Sequence, residues 1–467
     1  MSYCIQRLWN TTSPQGTTAF ERIFLAQQPW SSLESIRVVA KVQDGDPDFS
    51  LDEVRSNAGL ALREHPRLSE VITDAGLWKR VDVDLASHIV AVRAEEAKAS
   101  GEGVEEEPEG LCAALADMPA FRTAGRPLWQ VVVTPRKLVL DIHHGLVDGV
   151  GLAVICASLF QGKTLSEANE DIFSRCGPKL SALSRRGCFE KLVVWFKSLF
   201  LILWYLITPL LGLIRPEPKS AVFAQGQPKK GTRLLHLGPY ELAGLRRAAR
   251  GYGKLNDLLI HTISQGVHAY CRAEDGASAA LPGRMAVPVS FKMPDLSDPQ
   301  RMRANNDFAT VAVAVPPPTA ASLASAAAAQ VSAAEALAAR NAQALLSLLP
   351  LAVIRWLYVT SSRLFSFCLS NVDASWAGTH FATAEASSAG LGVSRRIHVH
   401  GYGAPPADIN LFILVNSHGP NLHIGIAAGS YIRDPVALAQ HINVEIRRAV
   451  SESIRDESVS ASLLPQV

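Results

Sequence analysis

Apolar positions recur along this chain at helical and at alternating spacings, and together they outline its elements. Leu51, Val54, Ala58, Leu60, Ala61 and Leu62 fall at roughly helical spacing, which predicts a helix over 51–64. His65-Pro66 ends it, because proline disfavours helical geometry in the residue before it. Phe20–Ala26 predicts a short helix, Ser35–Val42 a strand, and 78–92 further strand. Gln130–Val133 is β-branched, Pro135-Arg136-Lys137 turns the chain, and Leu138–Ile142 supplies the partner of a hairpin. Val150–Phe160 then reads as an apolar helix.

The second half repeats this mixture. Strands are predicted at 232–237, 284–290, 308–315 and 365–371, and a hairpin at 408–415 with 421–428. Gly238–Glu241 opens a helix over 242–250, and Asn305-Asn306-Asp307 forms a turn. Lys254-Leu-Asn-Asp257 starts a longer helix, with Asn256 or Asp257 as its N-cap and Leu258, Leu259, Ile263, Val267 and Tyr270 as its buried face. Helices are also expected over the alanine-rich 320–346, over 351–358 and over 436–450. Mixed strands and helices place the chain in the α/β (α+β) class.

Two stretches break the pattern. Gly101–Gly110, with its run of glutamates, reads as a solvated loop. Leu192–Ile214 is almost wholly apolar, with Lys197 as its single charge. About 20 apolar residues are needed to cross a bilayer, so this segment is borderline. Basic residues flank it on both sides, without the asymmetry of a clean span, and Trp195, Trp204 and Tyr205 suit the headgroup level. It reads as an interfacial or re-entrant helix, a true span or a buried core helix. Pro216–Gly231, rich in Pro, Lys, Gly and Gln, is the expected domain boundary.

Composition narrows the classes. Lys plus Arg number 45 against 43 Asp plus Glu, and no basic-aromatic interleaving occurs, so no nucleic-acid partner is expected. Charged residues make up only 19% of the chain and mean hydropathy is +0.13, which leans toward membrane contact. The 7 cysteines are scattered without a C-x-x-C pair, which argues against a zinc site or a disulfide framework. The N-terminus lacks the apolar core of a signal peptide. His398-Val-His400 alternates on one strand face, but no third ligand sits at recognisable spacing, so no metal is expected.

The candidate chemistry lies at Ile142-His143-His144-Gly145-Leu146-Val147-Asp148-Gly149. Two histidines stand where a strand ends and a glycine-flanked turn begins, so a rigid element can aim a side chain into a cleft. Asp148 can fold back to fix the loop.

The spacing HHxxxDG resembles the active-site signature of the chloramphenicol-acetyltransferase-like, CoA-dependent acyltransferases. Further stretches, in order, resemble the wax ester synthase/diacylglycerol acyltransferase family. They are Pro127-Leu128-Trp129, Asn256-Asp257, Pro288-Val289-Ser290, Ser370-Asn371-Val372 and the late hairpin ending near Asp434-Pro435. The likeness covers roughly residues 50–450 and departs at Gly145, where alanine is usual, and at Asp373-Ala374, where Pro-Gly is usual.

The resemblance implies two lobes, each a mixed sheet flanked by helices, with the active-site tunnel between them. The N-terminal lobe would span 1–180 and the C-terminal lobe 231–467, with the hydrophobic segment and linker at 181–230. It implies a fatty acyl group moving from acyl-CoA to a long-chain alcohol or diacylglycerol, with no cofactor beyond acyl-CoA as co-substrate. His144 would be the general base, taking the hydroxyl proton as oxygen attacks the thioester. His143 would support it, and Asp148 would fix the loop by pairing with an arginine, Arg67 or Arg126. Gly149 belongs to the same loop, and Trp129 in the PLW motif is read as core packing. Asn256 would stabilise the oxyanion or position substrate, although capping explains it equally. Membrane association at the cytoplasmic face, through 192–214, would follow. A related acyltransferase with another alcohol or carrier-bound acyl group, or a non-catalytic lipid-binding relative, fits the same residues.

Overall fold

The computed structural model describes residues 21, 35–73, 77–92, 98–99, 104–107, 125–176, 188–214, 232–276, 281–291, 306–317, 333–383, 395–403, 409–429 and 431–462. Most of the helix expected at 20–26, the linker 216–231 and the alanine-rich stretch before 333 lie outside these residues.

Two sheets carry the fold. The first contains β1 (Ser35–Val42), β4 (Ile89–Ala91), β7 (Trp129–Val133), β8 (Lys137–His143), β13 (His380–Phe381) and β14 (Arg395–Gly403), in the order β13-β14-β1-β8-β7-β4. The second contains β5 (Lys98–Ala99), β6 (Val104–Glu106), β9 (Arg233–Glu241), β10 (Arg284–Ser290), β11 (Phe308–Ala314), β12 (Phe367–Ala374), β15 (Leu411–His418) and β16 (Asn421–Ala428). Its order is β11-β10-β12-β15-β16-β9-β6-β5. A separate ribbon pairs β2 (Glu70–Ile72) with β3 (Trp78–Arg80). The main helices are α1 (Leu51–Glu64), α2 (Gly149–Gln161), α3 (Leu165–Cys176), α4 (Cys188–Ile214), α5 (Leu255–Asp275), α6 (Ala333–Leu346), α7 (Leu351–Ser362) and α8 (Pro435–Ser462). The α/β class and its two mixed, helix-flanked sheets match the expectation.

Every residue of β7 and β8 is buried, which explains their continuous apolar composition. One face packs on α1 and α2 in a core that includes Val54, Ala58, Leu140, Ile142, Leu152 and Ile155. The second sheet packs on α5 and α8 through Leu258, Ile263, Tyr270, Leu438 and Ile442.

The expected split at 181–230 follows chain order, but the sheets do not obey it. β13 and β14, from late in the chain, complete the first sheet, and β5 and β6 extend the second. β14 crosses the second sheet so closely that a Cβ on Gly425 would stand 1.8 Å from the Gly401 carbonyl oxygen. Only glycine allows that backbone approach.

Three expected elements differ. β9 continues through Gly238–Glu241, because Tyr240 pairs with Leu422 and points into the core, and the next helix begins at Leu242. Residues 78–92 hold two short strands around a turn of helix at Leu85–His88. The acidic stretch is not simply a solvated loop. Val104 is 1% exposed and leads β6, which pairs with β9, and Glu107 is buried. Its carboxylate accepts from Lys137 Nζ at 2.6 Å and Tyr402 Oη at 3.1 Å and contacts His400 Nε2 at 3.2 Å.

Around that contact lies a seam of histidines between the sheets. His236 stacks on His400 at 4.0 Å and its Nε2 meets His423 Nδ1 at 3.0 Å. Burial, then the charge of His236, pushes His400 down to about 3, outweighing Glu107. Burial also pushes His418 down to about 4 and His423 well below its usual value. Burial alone would raise the Glu107 carboxyl, but His400 and Lys137 outweigh it and hold it below the usual range. The described His, Cys, Asp and Glu residues include no group of three or more placed to hold a metal.

The unfolded chain protonates His400, His418 and His423 near the ordinary value of about 6.5, before the folded chain does. Stability is therefore full above that pH and falls as pH drops from about 6.5 toward 4. Melting followed by circular dichroism should show Tm falling over this window, and a Tm unchanged between pH 7.5 and 5 would contradict the burial of neutral histidines.

Candidate active site

β8 delivers His143 and His144 to a tight loop whose next residues are its anchors. Leu146 and Val147 are both fully buried in the first core, so the loop cannot drift. His143 is also fully buried, and its Nδ1 accepts from Gly145 N at 3.0 Å. That bond folds the turn under His144, which makes His143 a support. The PLW motif is structural too. Trp129 Nε1 donates to Leu68 O at 2.8 Å, and Leu128 O accepts from His143 N at 2.9 Å.

Asp148 shapes the loop with both carboxylate oxygens. Oδ1 accepts from Gly151 N at 2.8 Å, capping α2, and Oδ2 accepts from Asp307 N at 2.9 Å. The expected partners do not supply this hold. Arg67 pairs with Glu21 and Glu70 and lies 3.9 Å over the Trp78 ring, and Arg126 is exposed. Among the described residues, Arg340 bears on the loop by pairing with Asp307 at 2.6 Å.

Asn306 completes the hold. Its Nδ2 donates to His144 O at 2.9 Å and to Gly145 O at 3.1 Å. Asn306 and Asp307 precede β11, so the second sheet grips the loop that the first sheet presents. Gly149 is needed for the same closure: a Cβ there would stand 2.7 Å from Val372 Cγ2 on β12.

The His144 ring lies 5.3 Å from that of Phe308 and faces a cavity of ≈ 290 Å³ between the sheets. Burial pushes its pKa below the ordinary imidazole value, and the Asp148 charge offsets this only in part. The ring is therefore neutral near pH 7 and can accept a proton. Phe412 and Leu414 from β15, Leu346 from α6, Leu357 from α7 and Tyr205 from α4 also line the cavity, with Cys156 and Cys368. Burial raises both thiols, so neither supplies a thiolate.

The ND motif sits apart from this cavity. Lys254 is the N-cap of α5, and Asp257, at the third position, accepts from Lys254 N at 3.1 Å. Asn256 is exposed, and its Oδ1 accepts from Asn371 Nδ2. Asn371 itself lines the cavity. The ND helix therefore meets the cavity wall through Asn371 of β12.

No protein-family model and no curated protein matches the chain. Solved structures share its fold. The starter condensation domain of rhizomide synthetase, in complex with C8-CoA, is 15% identical with a TM-score of 0.56, and 94% of each chain is covered. The wax ester synthase/diacylglycerol acyltransferase from Marinobacter aquaeolei VT8 is 15% identical with a TM-score of 0.53, covering 94% of this chain and 99% of that one. The first condensation domain of the calcium-dependent antibiotic synthetase, with a substrate analogue, is 15% identical at a TM-score of 0.53, covering 95% and 97%. These likenesses give the fold: a two-lobed α/β architecture.

Asn306→Ala removes the donor that both loop carbonyls share. It should lower stability by about 1–3 kcal/mol and lower turnover by about tenfold or more while KM stays within a few-fold. Unchanged turnover in a folded Asn306→Ala protein would remove Asn306 from the site.

Proposed function

We propose that this chain is an acyl-CoA-dependent O-acyltransferase that moves a fatty acyl group onto a long-chain alcohol or diacylglycerol, the reaction type of wax ester and triacylglycerol synthesis. One observation carries the reading: a neutral His144, clamped between the sheets, faces an apolar cavity. The condensation-domain and wax ester synthase folds of its structural neighbours support it.

The chemistry needs no covalent acyl-enzyme. The His144 imidazole takes the proton of the acceptor hydroxyl as its oxygen attacks the thioester carbonyl carbon. The carbon–sulfur bond then breaks, and CoA leaves as a thiolate that recovers the proton from imidazolium. General base catalysis of this kind contributes about 10²–10⁴ in rate. The apolar lining suits an alkyl chain and keeps competing water low. The largely apolar stretch of α4, Leu192–Ile207, provides contact with a membrane where such acceptors reside.

Purified protein given palmitoyl-CoA with hexadecanol or a diacylglycerol should release free CoA and form ester, and His144→Ala should lower the rate by about 10²–10⁴. No CoA release with either acceptor would defeat the acceptor assignment, and full activity in His144→Ala would defeat the base. The neutral imidazole is the active form and burial lowers its pKa from the ordinary 6.5, so the acid limb of kcat/KM should reach half its plateau below pH 6.5. A midpoint at or above pH 6.5 would contradict the burial of His144.

A further inference from the structure

α4 and α7 present an exposed hydrophobic outer surface. Among the described residues, eight of the large exposed hydrophobic side chains lie on α4 and four on α7 or the turn before it, and only Leu77 and Val444 lie elsewhere. Phe196 and Phe200 are each 64% exposed, Leu351 45% and Trp356 44%. The two helices pack on each other, and exposed apolar side chains gathered on neighbouring helices mark an interaction site.

Charge says what kind of partner fits. Glu190 is the one acidic residue in 188–214, and 346–364 holds none, whereas Lys197 and Arg355 are exposed on these helices and Arg363 is exposed directly after α7. Aromatic and aliphatic side chains interspersed with cations match an anionic lipid surface.

The inner faces of the same helices are walls of the cavity. Tyr205 lines it from α4, next to outward-facing Trp204 and Leu206. Ile354 and Leu357 line it from α7, next to outward-facing Val353 and Trp356. One helical layer therefore separates the cavity from the exposed patch.

We propose that the outer faces of α4 and α7 dock together on an anionic lipid bilayer, and that the acceptor lipid passes from the bilayer through this one-helix wall to His144. This rests on the acyl-transfer reading for the identity of the cargo, while the docking stands on the exposed surface alone. The α7 contribution was not visible in the chain, where only 192–214 advertised itself as lipid-seeking.

The test uses full-length protein, vesicles of phosphatidylcholine with phosphatidylserine, and the exposed α7 substitutions Val353→Asp and Trp356→Asp combined. Wild-type protein should float with the vesicles, and the double variant should lose about tenfold or more of that binding. With palmitoyl-CoA, the variant should lose a similar factor in rate on vesicle-embedded diacylglycerol while keeping its rate on dissolved 1-hexanol. Undiminished flotation of the variant would overturn the docking surface. So would light scattering showing a dimer that the variant dissociates, with no vesicle binding by wild type. Lost flotation with an unchanged rate on embedded diacylglycerol would overturn the route. If wild type turns over no acceptor, the acyl-transfer reading falls, and flotation still decides the docking.

Discussion

The site depends on a grip between the two sheets at the histidine loop. Asn306 holds the carbonyls of His144 and Gly145, and the backbone of Asp307 holds Asp148. These bonds join a strand end of the first sheet to the turn before β11 of the second. Without them the loop would be fixed only by its own buried Leu146 and Val147. The imidazole at its tip would lose the aim that the proposed general base catalysis requires. Asp148 is therefore a fastener whose two oxygens tie the loop to a helix on one side and to the opposite sheet on the other.

The same closeness shapes the rest of the interface. Gly149 lets Val372 sit on the start of α2, and Gly425 lets β14 cross the second sheet at backbone contact. Strands exchanged between the two halves of the chain make the closure a property of the fold rather than of docking between independent lobes. Burying histidines in that closure leaves them neutral. For His144 this gives a proton acceptor at neutral pH; for the seam around His400 and His423 it makes the fold sensitive to acid.

Much of this was legible in the chain because it is local. The hairpin into His143, the helix after Gly149, the mixed sheets and the supporting role of Trp129 follow from spacing and from residues adjacent in sequence. What escaped was long-range. Asn306 lies far from His144 in the chain, and nothing in Asn305-Asn306-Asp307 distinguishes it from an ordinary turn. The arginine bearing on Asp148 through Asp307 is Arg340, inside an alanine-rich helix that spacing alone gave no chemistry. Glu107 looked like one more charge in a solvated run, and only the approach of Lys137 and His400 buries it. Pairings of this kind depend on the tertiary fold, which local pattern does not encode.

On this reading the grip of the second sheet positions His144. A double-mutant cycle on turnover tests it, with Asn306→Ala, His144→Ala and the combined protein assayed on palmitoyl-CoA and a long-chain acceptor. If Asn306 acts through His144, its removal lowers turnover in the wild-type background and costs nothing further once His144 is gone. Equal losses in both backgrounds would show that Asn306 acts on the reaction independently of His144 and that the grip does not aim the imidazole.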